Sequence, residues 1–179
     1  MSGTALSIEL AGPVPAEDLV RLHELLIGLS DGMEVKSPEH FDLVILPQRL
    51  GVGGSWGPFD PGPFCVALNG PGFEWEEIFH GDHDYGDLEL RSLIGFTPAY
   101  DLLVSGSCSR PIDHAVTALL AASVMDIVGG VANVEVVAHQ IPVIRALPGF
   151  LALATEWSRA FGSAEFLRAW AAHPDFRLC

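Results

Sequence analysis

Apolar residues near the start of the chain repeat first at every second position and then at the period of a helix. Residues 4–10 alternate small or apolar side chains with polar ones, which predicts a half-buried strand. From Pro15, leucines recur at helical spacing behind two acids, which predicts an amphipathic helix ended by Gly32. Apolar runs at 33–35 and 41–46 predict one or two further strands, so the chain opens as a β-α-β unit.

The middle of the chain alternates between turn-rich and apolar stretches. Five glycines and four prolines in residues 47–63 predict a long loop. The apolar run at 63–70 ends in Asn-Gly and predicts a strand, while 73–79 predicts a single helical turn. Residues 88–96 and 100–107 then predict an antiparallel pair of strands.

A second long helix is predicted over residues 110–128. Ser109 precedes it as the expected N-cap, Gly129 and Gly130 close it, and an apolar run at 131–137 predicts the strand that follows. We expect one buried stripe along this helix, formed by Ile112, Ala115, Val116, Leu119, Ser123 and Ile127.

The order of these elements indicates the fold class. Prolines interrupt the C-terminal segment 141–179, in which Ser163 caps a short helix, so this segment is predicted to be a helical tail. Strands that occur in pairs between only two long helices favour a two-layer α/β (α+β) sandwich, ferredoxin-like or built from imperfectly duplicated β-α-β units, over a doubly wound fold. We expect one compact domain, 1–179, with sub-halves at 1–70 and 71–140.

Composition is typical of a folded domain with a sizeable core. Hydrophobic residues make up 49% of the 179 positions and the mean hydropathy is +0.35, which is unlike a disordered chain despite a net charge of −14. The chain has no run of eighteen apolar residues and no basic leader, so we expect a soluble cytoplasmic protein. Three cysteines without C-x-x-C spacing indicate reduced thiols.

The charge balance restricts the class of partner. Eight arginines and one lysine stand against 23 acids, and such an imbalance repels phosphate backbones. Direct nucleic-acid binding is therefore not expected, and a negative field favours capture of a cationic partner. Acidity that serves solubility alone is the alternative interpretation.

Two stretches carry a family resemblance. The segment "MDIVGGVANVEV" at 125–136 and the closing "AEFLRAWAAHPDFRLC" at 164–179 resemble small uncharacterised families of high-GC, actinobacterial-type bacteria. Members of such families are often regarded as immunity-type partners of polymorphic toxins. The resemblance covers about the last 80 residues and implies a related fold and an inhibitor-like role. It brings no catalytic residues with it.

Residues 74–89, "EWEEIFHGDHDYGDLE", form an acidic segment with seven carboxylates, two histidines and no Lys or Arg. A metal site is one interpretation, with His80 and His83 beside Asp82, Asp84 and Asp87, but the spacing matches no zinc or EF-hand cage. Paired catalytic carboxylates are a second, although crowded acids in one turn show only mutual repulsion. A solvated loop is a third interpretation, and an acidic face for a partner is a fourth.

A different kind of site is conceivable where a strand passes into the second long helix, at Ser107–His114. Cys108 and Arg110 lie close to the helix N-terminus, whose dipole lowers a thiol pKa and attracts anions. The G-x-S-x-G elbow is absent, however, and Asp113 and His114 are adjacent on a helix, so they cannot face each other as a triad requires. A capped helix with a small buried thiol is the structural alternative.

The leading hypothesis is a non-enzymatic acidic protein, of immunity type, that occludes a basic toxin or another cationic protein. Indoles among carboxylates suit an interface anchor, and core packing is the alternative role for them. The alternative function is a small enzyme or ligand-binding domain with its pocket at Ser107–His114. No catalytic residue, metal, cofactor, nucleic acid or membrane is expected, and the oligomeric state stays open. The residues predicted to bind the partner are Trp56, Glu74, Trp75, Glu76, Glu77, Asp82, Asp84 and Asp87.

Overall fold

A single eight-stranded sheet organises the chain. The computed structural model describes residues 3–54, 61–73, 76–83 and 87–178. Its strands are β1 (Thr4–Leu10), β2 (Ser30–Ser37), β3 (His40–Ile45), β4 (Phe64–Asn69), β5 (Tyr100–Gly106), β6 (Val131–Glu135), β7 (Phe150–Ala154) and β8 (Arg159–Gly162).

Helices connect most of these strands. They are α1 (Ala16–Leu29), α2 (Glu76–His83), α3 (Asp87–Ile94), α4 (Pro111–Val128), the single turn α5 (Ile141–Ile144) and α6 (Ala164–Ala171). Short 3-10 helices occur at Pro47–Leu50, Ala138–Gln140 and Thr155–Trp157.

The sheet is antiparallel throughout, in the order β2-β3-β4-β5-β1-β6-β8-β7. Its centre, β4-β5-β1-β6, has the strand order of the ferredoxin-like motif. From β1 the chain passes through α1, β2 and β3 to β4, α2 and α3 separate β4 from its neighbour β5, and α4 returns the chain to β6 beside β1. The β2–β3 hairpin extends this centre at one edge, and β8 with β7 extends it at the other. The mixed α/β fold class predicted from the sequence is confirmed.

One face of the sheet, here the first face, carries the main core. Alternation along β1 directs Leu6, Ile8 and Leu10 to this face, where helices α1, α4 and α6 cover them. Helix α4 is long and apolar enough to cross a membrane by length and composition alone. Here it packs against β1, β5, α1 and α6. The predicted stripe is only partly correct, because Ile112 and Val116 are buried but Ala115, Leu119, Ser123 and Ile127 are half-buried. Residues outside the stripe, such as Thr117, Leu120 and Val124, are fully buried instead.

The opposite, second face is covered in part by α2 and α3. Leu90 of α3 lies in a smaller core with Val131 and Phe161 of the sheet, and Phe79 of α2 is buried as well. The second face therefore has two regions, one beneath these helices and one that extends across β3 and β4, where several polar side chains are only half-buried.

Several element predictions are wrong, each for a local reason. Residues 88–96, predicted as a strand, contain helix α3, because Leu90, Leu93 and Ile94 fit helical spacing as well as alternation. The C-terminal segment 141–179 is not a helical tail, because β7 and β8 form between its prolines and join the sheet.

Two helix boundaries in the structure also differ from the predicted ones. Helix α1 ends at Leu29, so Gly32 lies inside β2 rather than serving as the stop. The N-cap of α4 is Arg110, not Ser109, because the Asp113 carboxylate accepts the hydrogen bond of the Arg110 backbone N–H.

Candidate functional site

A row of polar side chains is buried on the second face beneath α2. Glu9 of β1 is directly opposite Asp101 of β5, which is in turn opposite Asn69 of β4. The Asn69 side-chain amide donates to Asp101 Oδ1 at 2.7 Å, and the Asn133 amide donates to Glu9 Oε1 at the same distance. Glu9 is 0% exposed and Asp101 is also buried. The free-energy cost of burying these two carboxylates has to be offset by hydrogen bonds or by an opposite charge, which is the compensation they need.

His83 supplies that compensation from the last turn of α2. Its Nε2 lies 2.8 Å from Glu9 Oε2 and its Nδ1 lies 2.8 Å from the Phe79 carbonyl oxygen. Both neighbours accept hydrogen bonds, so both ring nitrogens donate and the ring is an imidazolium. Burial alone would lower the pKa of His83, but the hydrogen bond and charge of Glu9 outweigh it and raise the pKa to about 9.

This buried pair, here the Glu9–His83 pair, fixes the acidic segment to the sheet. The ring of His83 also stacks on Phe79, with centroids 4.3 Å apart. The segment is therefore not a solvated loop over residues 76–83 but a helix held by a buried charge pair, and His83 is its anchor rather than an incidental residue or an available metal ligand.

The predicted partner-binding residues fall into two groups. Glu76 and Glu77 occupy the first turn of α2, where the helix dipole favours negative charge. Glu76 accepts from the Gly72 N–H at 2.9 Å and lies 3.6 Å from His80, while Glu77 is exposed. The remaining predictions cannot be placed on this surface: Trp56, Glu74, Trp75 and Asp84 lie outside the described residues, as do the side chains of Asp82 and Asp87.

The Ser107–His114 junction forms a capped helix start. Asp113 is fully buried and accepts from the Gly62 N–H, the Arg110 N–H and the Arg110 guanidinium. Burial alone would raise the pKa of Asp113, but these partners outweigh it and lower the pKa. The Asp113 carboxylate thus makes its hydrogen bonds at the N-terminus of α4 and, as predicted, does not orient His114.

His114 is a poor general base in this arrangement. Its Nε2 lies 3.3 Å from Ser109 Oγ, but its buried Nδ1 has no hydrogen-bond partner among the described residues. Burial and the charge of Arg177 lower the pKa of His114. Ser109 and His114 therefore meet without the third group that would orient and charge-stabilise the imidazole.

A second cluster, here the His40–Asp42–Cys65 cluster, lies on the part of the second face beyond α2 and α3. Cys65 of β4 is directly opposite Asp42 of β3, and His40 precedes Asp42 by two residues on the same side of that strand. His40 Nε2 lies 3.3 Å from Cys65 Sγ and 3.6 Å from Asp42 Oδ1, and all three side chains are half-buried. Burial, reinforced by the charge of Asp42, raises the pKa of the Cys65 thiol to about 11.

Sequence reasoning missed this cluster, because each member is isolated along the chain. The detectable signal is the His-x-Asp spacing within a strand, which places both side chains on one face, but Cys65 joins them only through strand pairing.

The family of the chain is shown by its sequence over nearly its full length. Residues 2–179 match the model of a family of unknown function, DUF6368. The chain belongs to this family. Neither the curated proteins nor the solved structures contain a significant match to it. Membership in DUF6368 agrees with the expected resemblance to an uncharacterised family and assigns no activity to either cluster.

Proposed function

We propose that this protein is a non-enzymatic binding protein that uses its acidic segment to occlude a basic protein partner. The observation that carries the proposal is the attachment of α2 to the sheet through the Glu9–His83 pair. A charged surface on a fixed helix loses little conformational entropy on binding, whereas a solvated loop would have to be ordered first. Glu76 and Glu77 of α2 therefore form a preorganised acidic surface.

The distribution of internal ion pairs supports this proposal. Among the described residues, Glu77 forms no ion pair, and the ion-pair partner of Glu76 is the exposed His80. Several cations are already engaged elsewhere, since Arg21 pairs with Asp18, Lys36 with Glu34, Arg110 with Asp113 and Arg168 with Asp126. Four of the nine cations of the chain are thus paired with acids outside the acidic segment, which supports a negative field there that is available to a partner.

The immunity-type form of the proposal is more specific. We propose that this complex forms in the cytoplasm. We expect a gene for a basic toxin-like protein directly upstream of the gene for this chain. Genome neighbourhoods of family members that never contain such a gene would rule out the immunity role without ruling out another basic partner.

Charge reversal in the acidic segment is expected to slow association with the partner by about 10- to 100-fold at low salt. The variant carries Glu76→Lys, Glu77→Lys, Asp82→Lys and Asp84→Lys. Used as baits at physiological salt, the wild type should retain one or more basic proteins that this variant loses. The rate constant for the retained protein should fall with ionic strength in the wild type and vary little with it in the variant.

The matched control reverses four exposed acids elsewhere, through Glu17→Lys, Glu24→Lys, Glu156→Lys and Glu165→Lys. Both variants have the same net charge, so a difference between them reports the position of the acids and not the total charge. Equal losses in the two variants, or retention of the same proteins by all three baits, would contradict the proposal.

A further inference from the structure

We propose that His40, Asp42 and Cys65 bind a single zinc ion and leave its fourth position open. The site lies on the part of the second face beyond α2 and α3 and shares no residue with the acidic segment. It therefore goes beyond the proposed binding function and can fail or succeed independently of it.

The spacing of the donor atoms fits a tetrahedral ion. Zinc bonds of about 2.0–2.2 Å to nitrogen and oxygen and about 2.3 Å to sulfur place neighbouring donors about 3.3–3.6 Å apart. His40 Nε2 is 3.3 Å from Cys65 Sγ and 3.6 Å from Asp42 Oδ1, and the three donor atoms all lie within 4.8 Å of one another. The third edge, between the Asp42 carboxylate and Cys65 Sγ, is thus at most 4.8 Å and would have to shorten when the ion binds.

The donor types favour zinc over magnesium and calcium. Magnesium and calcium take oxygen ligands almost exclusively, whereas a set with one thiolate, one imidazole and one carboxylate suits zinc. On binding, the ion displaces the Cys65 thiol proton to solvent and forms a sulfur–zinc bond, while His40 binds as the neutral ring through Nε2. Three protein ligands are the usual number in zinc sites that keep one position for water or a further ligand.

Neighbouring side chains hold two of the ligands. Lys36 Nζ lies 3.6 Å from Asp42 Oδ2, the oxygen that does not face His40, and it also pairs with Glu34 at 2.6 Å. This arrangement directs Oδ1 towards the site and keeps the lysine charge on the far side of the carboxylate. Ser105, opposite Cys65 on β5, hydrogen-bonds the Cys65 side chain. Such outer contacts fix ligand orientation in zinc sites.

Metal titration of the full chain tests the site. The protein is purified without chelator, analysed for metal, stripped, and titrated with Zn²⁺ and with Co²⁺ as a spectroscopic probe. We expect one equivalent of either ion and a thiolate-to-cobalt charge-transfer band. Cys65→Ser should abolish that band, and His40→Gln or Asp42→Asn should weaken binding at least about 10-fold. Cys108→Ser is the matched control and should change neither result.

A second measurement does not depend on whether the variants fold. In the wild type, zinc should protect Cys65 from alkylation and leave Cys108 unaffected, as read by mass spectrometry of the cysteine peptides. The proposal is overturned by a chain that binds no zinc at micromolar concentrations or by a charge-transfer band that survives Cys65→Ser. Equal alkylation of Cys65 with and without zinc, at an alkaline pH at which the zinc-free thiol reacts, would also overturn it. Charge reversal of the acidic segment should leave all of these measurements unchanged.

Discussion

Replacing Glu9 with glutamine is expected to lower the free energy of unfolding by about 2–4 kcal/mol at neutral pH, because it removes the only carboxylate seen to bond His83 among the described residues. The pKa of His83 is raised to about 9 in the folded protein, against about 6.5 for an unperturbed histidine. The protonated pair therefore stabilises the fold in full below about pH 6.5, and this contribution is lost as pH rises through about 9. Urea unfolding of the wild type and Glu9→Gln from pH 7 to pH 10 measures it.

The pH dependence distinguishes loss of the Glu9–His83 charge pair from loss of packing alone. The difference in stability between wild type and Glu9→Gln should shrink towards pH 10, and combining Glu9→Gln with His83→Gln should cost much less than the sum of the two single changes. Glu135→Gln, at an exposed acid of the neighbouring strand β6, is the control and should stay within about 0.5 kcal/mol of the wild type. A difference that stays constant across this pH range would refute the charged state of the Glu9–His83 pair.

Local periodicity predicted much of the central fold correctly. Alternation identified β1, leucine spacing identified α1, and the Gly129–Gly130 stop marked the end of α4, because each signal lies within a few turns of chain. The predictions were wrong where the helical and strand periods fit the sequence equally well, or where pairing between strands distant in the chain determined the secondary structure. Helix α3 is the first kind, and β7 and β8, which are stabilised by joining the edge of the sheet beyond β6, are the second.

The burial of Glu9 and His83 could not be predicted from the sequence for the same reason. In β1, Glu9 occupies a position that alternation assigns to the polar side of a half-buried strand, where an acid normally faces water. It is buried because α2, about 70 residues later in the chain, covers that side and supplies His83. The acids next to His83 in the sequence give no indication of its contact with Glu9. Strand register, and not local composition, places Glu9 and Asn69 beside Asp101 and places Cys65 beside Asp42.

Replacing Gly130 with alanine is expected to destabilise the fold by about 3 kcal/mol or more. Gly130 has a φ of +87°, which disfavours any residue with a side chain. A Cβ atom there would also lie 2.7 Å from the Glu9 carbonyl oxygen and 2.8 Å from side-chain atoms of Ile8 and Leu10. The carbonyl oxygen belongs to the backbone of the central strand β1, so it cannot move away without disturbing the pairing of β1 with β5 and β6.

Gly129 is the matched control, since it also has a positive φ, of 72°, but a Cβ there would meet nothing within 4 Å. Gly129→Ala should therefore cost only the conformational strain, about 1–3 kcal/mol and less than Gly130→Ala, because φ 72° with ψ −144° lies outside the left-handed helical region. Urea midpoints of the two variants, compared at equal m-values, isolate the clash with β1 from the strain common to both positions. Equal destabilisation would mean that strand β1 does not approach Gly130 closely and that the turn between α4 and β6 is held by backbone conformation alone.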